Sequence, residues 1–238
     1  MANTLREIKR FIDVASFKDR HRMSPDIEQG INPFVTISRQ VGAGGRSLAK
    51  ALLVELDRQP CEVYHGWKVF DRDLCEQLVE EPSLRNSLNR LWSEEYHSEV
   101  ESLILTLLGS ATAQPAAARG LFKAIRTVAT IGKVIIVGRG GACITASLPQ
   151  GVHLRLAASE PNRVKRMNLA SLSENEALKT VRRQEKDRAR LLKTYFHKDI
   201  SNPLLYDAVW NTDQVAMEVI ASAVIHLIHD KIERFHSK

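Results

Sequence analysis

A strand, a glycine-rich turn and a helix follow one another between residues 34 and 56, and this succession constrains the fold more than any other feature. The β-branched run Val35–Ile37 predicts a short, buried parallel strand. Three glycines then fall within four residues, at Gly42, Gly44 and Gly45. Apolar residues recur at helical spacing after them, namely Leu48, Ala49, Ala51, Leu52, Leu53 and Leu56. A strand–turn–helix unit of this kind predicts an α/β domain with a parallel sheet.

The same turn is typical of a phosphate-binding loop. Backbone N–H groups and a helix N-terminus hold phosphate, and glycine lets the backbone come close to the anion. The match to G-x-x-x-x-G-K-[ST] is incomplete, because Gln40 replaces the first glycine and no lysine precedes the hydroxyl in Gly44-Gly45-Arg46-Ser47. Arg46 can supply the missing cation, and Ser47 would then be the Mg²⁺ ligand. A glycine-rich turn that binds no phosphate is the alternative.

Charge and cysteine content narrow the classes of partner. The 238 residues carry a net charge of +6 and a pI near 9.3, which suits an anionic partner. Phosphorylated metabolites satisfy this as well as nucleic acid does, and the chain has no basic stripe interleaved with aromatic residues, so nucleic-acid binding is not expected. A solvated basic surface is the alternative. Three cysteines at unrelated spacings predict reduced thiols in a cytoplasmic protein.

No membrane association is expected, and the first 30 residues form a segment of their own. No apolar run approaches the roughly 18 residues of a membrane span, and the N-terminus lacks a signal-peptide core. Apolar residues between Leu5 and Val14 recur at helical spacing, and a polar stretch separates this helix from the first strand. The helix either docks on its own domain or serves in regulation or oligomerisation, for example in a homodimer.

A second strand is predicted over residues 62–64 and 68–70, and it ends at Asp71. Asp71 either caps the helix that follows or faces the ligand crevice at the carboxyl end of the strand. Residues 74–130 are almost wholly helical in pattern and predict a cap or substrate-binding subdomain.

Arginines of this insertion are the next candidates for an anion site. Arg119 and Arg126 would contact phosphate if they face the site, whereas a solvated helix face is the alternative for each. The clearest strand of the chain, Lys133–Val137, runs into Gly138, Arg139, Gly140 and Gly141. An arginine between glycines at the end of a central strand indicates anion binding, and a structural ion pair is the alternative.

The last third of the chain predicts two more strands and a basic helix. Residues 152–156 alternate as a fourth strand, in which His153 is expected on a covered face. Residues 206–210 predict a fifth strand, after which Asn211–Asp213 cap a last helix over roughly 214–235. Between these strands, three charged residues share one helical face: Arg183, Asp187 and Arg190. They indicate either a salt-bridged solvated helix or a helix that closes over phosphates.

Four ordered motifs resemble the cytidylate kinase-like family of P-loop nucleoside monophosphate kinases. They are residues 37–39 with 42–49, 70–74, 136–141 and 206–212. The resemblance implies a three-layer α/β P-loop kinase fold with a five-stranded parallel sheet. It divides the chain into an N-terminal helical extension (1–30) and a kinase-like domain (31–238), with a helical acceptor-binding insertion at about 72–131 and an arginine-rich lid at about 182–203.

The resemblance also implies roles for individual residues, with ATP and Mg²⁺ as donor and metal. The ATP-binding turn would comprise Gly42, Ala43, Gly44, Gly45, Arg46 and Ser47, with Ser47 on the metal. The phosphorylated acceptor would contact Asp71, Arg119, Arg139 and Gly140. The catalytic set would be Arg46, Arg183, Asp187 and Arg190.

Two positions depart from the family pattern. The phosphate-loop lysine aligns with Gly45, and the aspartate that reads the cytosine edge aligns with Gly140. We therefore expect an ATP-dependent phosphotransferase that acts on a nucleoside monophosphate or a similar phosphorylated small molecule and is not restricted to CMP. A catalytically weak nucleotide-binding module with a regulatory or interaction role is the second hypothesis. Non-specific nucleic-acid binding, which would collapse steeply with salt, is the third.

Overall fold

Five parallel strands form one sheet in the computed structural model, which describes residues 2–20, 32–89, 116–167 and 173–237. The strands are β1 (Phe34–Arg39), β2 (Lys68–Phe70), β3 (Val134–Val137), β4 (Gly151–Ala157) and β5 (Ala208–Asn211). Their order is β2-β3-β1-β4-β5, so β1 lies at the centre between β3 and β4. The predicted five-stranded parallel sheet is confirmed.

Helices cover both faces of this sheet and make the fold three-layered. They are α1 (Ala2–Arg20), α2 (Gly45–Asp57), α3 (Arg72–Glu80), α4 (Pro82–Asn89), α5 (Ala116–Ile131), α6 (Gly141–Ile144), α7 (Glu160–Met167), α8 (Glu174–Phe196) and α9 (Met217–His236). Helices α2 and α9 pack on one face. The other face is covered by α1, α3, α4, α5 and the end of α8.

The alternation of side chains along the central strands divides the core into these two halves. On β1, Val35 and Ile37 face α2 and α9, whereas Phe34 belongs to the opposite cluster. On β3, Ile135 packs on the first side and Ile136 on the second. Every residue of β3 is buried, which explains why its sequence is apolar throughout rather than alternating.

Local capping chemistry fixes where two of the helices begin. The Asp71 side chain accepts a hydrogen bond from the Leu74 N–H at 3.2 Å, so the predicted cap of α3 is present. At the start of α8, Ser173 and Glu176 form a reciprocal capping box. The helix ends at His197, which lies in the left-handed region.

Three predicted elements differ in the structure. Residues 62–64 form a 3-10 helix and no strand, because β2 pairs with β3 only from Lys68 onward and earlier residues have no neighbouring strand. The fifth strand begins at Ala208 rather than Tyr206. Residues 211–213 do not cap the last helix, because it begins at Met217 after Ala216; Thr212 instead accepts hydrogen bonds from Arg166. Of the predicted insertion, residues 90–115 lie outside the described residues.

The N-terminal helix packs on the domain itself. Ile8 and Ile12 of α1 are buried in the same cluster as Leu84 and Ile125, which belong to α4 and α5. The ring of Phe11 lies 6.5 Å from that of Phe70 at the end of β2. This packing supports the docking helix among the alternatives for the extension. None of the helices among the described residues is long and apolar enough to cross a membrane.

If α1 is part of the core, truncating its buried face should destabilise the whole domain. We expect Ile12→Ala, at a side chain that is fully buried, to lower the free energy of unfolding by about 2–5 kcal/mol. Val14→Ala is the matched control, because Val14 is 48% exposed and its loss should stay below about 0.5 kcal/mol. Urea unfolding followed by circular dichroism measures both. Equal small losses would show that α1 does not contribute to the core.

Candidate functional site

A cavity of about 600 Å³ opens at the carboxyl edge of the sheet, between the ends of β1 and β3 and the helix α8. Parallel α/β sheets bind ligands at this edge. Among the described residues, five arginines line it: Arg39, Arg72, Arg139, Arg183 and Arg188. Asp187 is the one carboxylate in the same lining. The excess of positive charge favours a polyanionic ligand.

The glycine-rich turn that leads from β1 to α2 lies beside this cavity. Gly44 precedes α2 in the left-handed region, with a φ of 88°. The turn is held from outside by polar groups: the Gln40 side chain accepts from the Ala158 N–H at 3.0 Å, and the Thr212 hydroxyl donates to the Ala43 carbonyl at 3.2 Å. N–H groups in the first turn of a helix have no partner within the helix, so the start of α2 offers donors to an anion.

Arg46 does not extend freely over the turn in this structure. Its guanidinium lies 3.0 Å from an Asp71 carboxylate oxygen and 3.4 Å from one of Asp73. The side chain is 67% exposed. Asp71 thus both caps α3 and holds Arg46, and it does not appear in the lining of the cavity.

The basic helix α8 is docked on the glycine-rich turn. The N–H of Val41 donates to a carboxylate oxygen of Glu185 at 2.5 Å. One turn further, Arg188 donates to the main-chain carbonyl of Arg39 at 3.0 Å. Burial lowers the pKa of Arg188 below its ordinary value, and the nearby guanidinium of Arg139 adds to this effect although Glu185 opposes it.

Arg139 projects from a strained turn after β3. Its φ is 54°, in the left-handed region that few residues other than glycine adopt. Its guanidinium contacts the Glu76 carboxylate, which also lies 3.5 Å from Arg72. Its Nε is buried and has no hydrogen-bond partner among the described residues. Backbone strain and an unused buried donor beside a cavity indicate a side chain that is held ready for an anion.

Gly140, in the same turn, is packed against α8. A Cβ at this position would lie 2.9 Å from Cε2 of Phe196, and the φ of 71° favours glycine. The space beside Gly140 is therefore filled by an aromatic ring from α8. This packing gives a steric reason for the glycine.

Polar side chains line the cavity where it reaches the sheet. Thr36 and His153 share a hydrogen bond of 2.8 Å, and burial lowers the pKa of His153 to about 4, so its ring is neutral at pH 7. Tyr206 and Ser38 lie within hydrogen-bond distance, at 3.3 Å. Burial raises the pKa of the Cys143 thiol to about 11, which keeps this cavity residue protonated.

The structure brings some of the predicted site residues together and leaves others apart. Arg139, Gly140, Arg183 and Asp187 all line the cavity. Arg190 and Arg119 are exposed and do not appear in its lining. For Arg126 both the phosphate contact and the solvated helix face are wrong, because the residue is buried and its guanidinium donates to the Ile144 carbonyl at 3.1 Å and to the Ser147 hydroxyl at 3.0 Å.

Three arginines of the cavity had no assigned role in the sequence: Arg39, Arg72 and Arg188. Arg39 is the last residue of β1, and this position directly before the glycine-rich turn was the signal that could have found it. Arg188 adjoins Asp187, but helical spacing does not place it on the face shared by Arg183, Asp187 and Arg190. Arg72 is the first residue of α3, directly after the Asp71 cap, and it lines the cavity.

A glycine substitution tests the packing of Gly140. Gly140→Ala should lose about 1 kcal/mol through its backbone conformation and about 1–3 kcal/mol more through the contact with Phe196. Gly66→Ala is the matched control, because its φ is 78° but a Cβ there would meet nothing within 4 Å. Free energies of unfolding from urea titrations compare the two. Equal losses would mean that α8 does not press on this turn.

Comparisons with known proteins complete the description of the site. The sequence profile of the cytidylate kinase-like family matches residues 34–214. The fold is similar to that of an uncharacterized protein from Eubacterium ventriosum, with a TM-score of 0.64 at 18% identity over 84% of this chain and 99% of that one. A shikimate kinase from Bacteroides thetaiotaomicron aligns with a TM-score of 0.42 at 16% identity, over 87% of this chain and 98% of its own. No curated protein matches the chain. Because the profile spans the sheet, the glycine-rich turn and the arginine cavity, the chain belongs to the cytidylate kinase-like family.

Proposed function

We propose that this protein is an ATP-dependent phosphotransferase whose acceptor is a nucleoside monophosphate or a similar phosphorylated small molecule. The observation that carries the proposal is the group of five arginines around one cavity at the carboxyl edge of the sheet, next to the glycine-rich turn and the start of α2. Phosphoryl transfer depends mainly on positioning and on charge stabilisation, which such an arrangement supplies. The three cysteines form no disulfide, which supports a cytoplasmic reaction.

The donor nucleotide would lie on the turn between β1 and α2. The unpaired N–H groups at the start of α2 would take phosphate oxygens, together with the positive end of the helix dipole. Mg²⁺ fits this place with Ser47, whose hydroxyl is exposed in the first turn of α2. No group of three or more metal-ligating side chains exists among the described residues, so the protein would supply few of the metal's ligands. When bound, Mg²⁺ would neutralise charge on the phosphates.

The phosphate of the acceptor would lie between Arg139 and Arg183. Both line the cavity, and Arg139 is presented by the strained turn after β3. Ser38 and Tyr206 also line the cavity, where the rest of the acceptor would lie, although the Tyr206 hydroxyl donates to the Ile200 carbonyl at 3.0 Å. Gly140 offers no side chain to the base, and a site that lacks a hydrogen-bonding group loses the discrimination which that group would give. We therefore propose that the acceptor is not restricted to CMP.

Helix α8 would act as the lid over both phosphates. Arg183 and Asp187 already face the cavity, and Arg190 lies further along the exposed surface of the same helix. A small movement of α8 would bring its arginines onto the transferring group and exclude water.

A second function is favoured by one specific observation. Arg46 is occupied by Asp71 and Asp73, and a carboxylate of Glu185 occupies the N–H of Val41. A turn whose cation and donor are already paired with carboxylates suits a nucleotide-binding regulatory module of weak activity, in which the docked helix α1 and the basic surface contact a partner.

Phosphoryl transfer from γ-labelled ATP to CMP, UMP, AMP and GMP decides between the two functions. We expect transfer to at least one of them, with a preference for CMP below about a hundredfold in kcat/KM, because the base-reading side chain is missing at Gly140. ATP binding without transfer to any acceptor would support the regulatory module. A larger preference for CMP would show that another group reads the base.

Two neighbouring arginines on α8 test the lid. Arg183→Ala should lower kcat by about ten- to a thousandfold and change the KM for ATP less, because its contacts with the phosphates form fully only near the transition state. Arg182→Ala is the matched control, since Arg182 is exposed and pairs with Glu160 at 2.8 Å outside the cavity. It should leave kcat unchanged. Single-turnover kinetics measures both, and equal rates for the two variants would remove α8 from the chemistry.

A further inference from the structure

We propose that Arg39 supplies the cation that contacts the donor phosphate, in the space that a lysine side chain at position 45 would take. This inference rests on the proposed function, because it assigns a residue to the same donor site. It places the cation on the last residue of β1, before the glycine-rich turn, rather than inside the turn.

The side chain of Arg39 lies against Gly45. Gly45 is the first residue of α2 and is buried. A Cβ at this position would lie 3.0 Å from Cγ, 3.1 Å from Cδ and 3.4 Å from Nε of Arg39. The side chain of Arg39 therefore passes directly over Gly45 and fills the space above it. Because φ of Gly45 is not positive, a larger residue there would strain no backbone but would require the Arg39 side chain to shift by a few tenths of an ångström.

The guanidinium of Arg39 lies beyond Gly45, next to Gly138. A Cβ at Gly138 would overlap Nη1 of Arg39, so the guanidinium lies against the main chain just after β3. Since β1 and β3 are neighbours in the sheet, the side chain spans from the glycine-rich turn to the turn that carries Arg139. The guanidinium thus stands in the cavity between the donor turn and the acceptor arginine.

The guanidinium of Arg39 is surrounded mainly by other positive charges. Arg39 forms no ion pair with any described residue, although it is largely shielded from solvent. Burial and the nearby guanidinium groups of Arg188, Arg139 and Arg46 lower its pKa to about 10, with Glu185 the one opposing charge. A shielded cation among like charges is unfavourable unless an anion joins it. A phosphate group of the donor supplies that anion, and the guanidinium can bind it in bidentate fashion.

Arg46, the other candidate, differs in each of these respects. It is 67% exposed, and two carboxylates already hold it. Exposed ion pairs contribute little, so Arg46 could move, but it does not occupy the space above Gly45. The observations therefore favour Arg39 for the contact with the donor phosphate.

An exchange of side chains between positions 39 and 45 tests the inference. Arg39→Ala should weaken Mg-ATP binding by about ten- to a hundredfold, as expected for the loss of a charged hydrogen-bonding group, and should lower kcat. The double variant Arg39→Ala with Gly45→Lys should recover most of the affinity, because removal of Arg39 frees the space that the lysine needs. Gly45→Lys alone should weaken binding, since the lysine would collide with Arg39. Arg58→Ala, at the other end of α2, is the charge-matched control and should bind as the wild type does.

Calorimetric titration with Mg-ATP and urea unfolding of each variant separate the outcomes. If Arg39→Ala does not fold, Arg39→Gln, which keeps most of the side-chain length, takes its place. Unchanged affinity in the folded Arg39 variant overturns the inference and leaves the proposed function standing, and so does a double variant that binds no better than the single one. A purely structural Arg39 would lose stability but would not be rescued by a lysine at position 45. A wild-type protein that does not bind Mg-ATP overturns the proposed function together with the inference.

Discussion

The parallel pairing of β1 with β3 is the constraint on which the site depends. It sets Ile37 beside Val137, the last residue of β3, so the glycine-rich turns that follow the two strands emerge from the same edge of the sheet. Only this neighbourhood allows a side chain from the end of β1 to lie against Gly138. Helices α3, α4 and α5 lie in the connection from β2 to β3, and α3 carries carboxylates that meet Arg46 and Arg139. The register of β1 against β3 therefore determines which charged side chains of the site can contact one another.

Carboxylates make the concentration of arginines tolerable when no ligand is bound. Glu76 lies against Arg139, Glu185 lies near Arg188, and Asp71 holds Arg46. Each of these pairs is at least partly exposed, so it contributes little to stability. They keep the arginines in place, and under the proposed function a more highly charged phosphate would replace these carboxylates. A site of this kind is assembled before binding and does not need to gather its charges from solution.

Sequence patterns predicted most of the fold because each relevant signal is local. The apolar run of β3, the glycines before α2 and the cap at Asp71 each specify their own conformation within a few residues. The predictions that were wrong concern residues whose conformation or contacts depend on a part of the chain that is distant in sequence. Residues 62–64 have strand-like side chains but no strand beside them. From the sequence, Arg126 could have been a phosphate-binding arginine. In the fold it donates to the carbonyl of Ile144, which is distant in the chain and comes near only in the folded protein.

The hydrogen bond between Glu185 and the N–H of Val41 has a thermodynamic consequence for any nucleotide. A phosphate that uses this N–H must first displace the carboxylate, so part of its intrinsic binding free energy is consumed in opening the contact. A hydrogen bond to a charged group is worth about 1.5–3 kcal/mol, which lowers the apparent affinity by roughly ten- to a hundredfold relative to an undocked helix. If a nucleotide phosphate uses this N–H, the docked α8 would raise the nucleotide concentration needed for binding, by an amount that depends on Glu185.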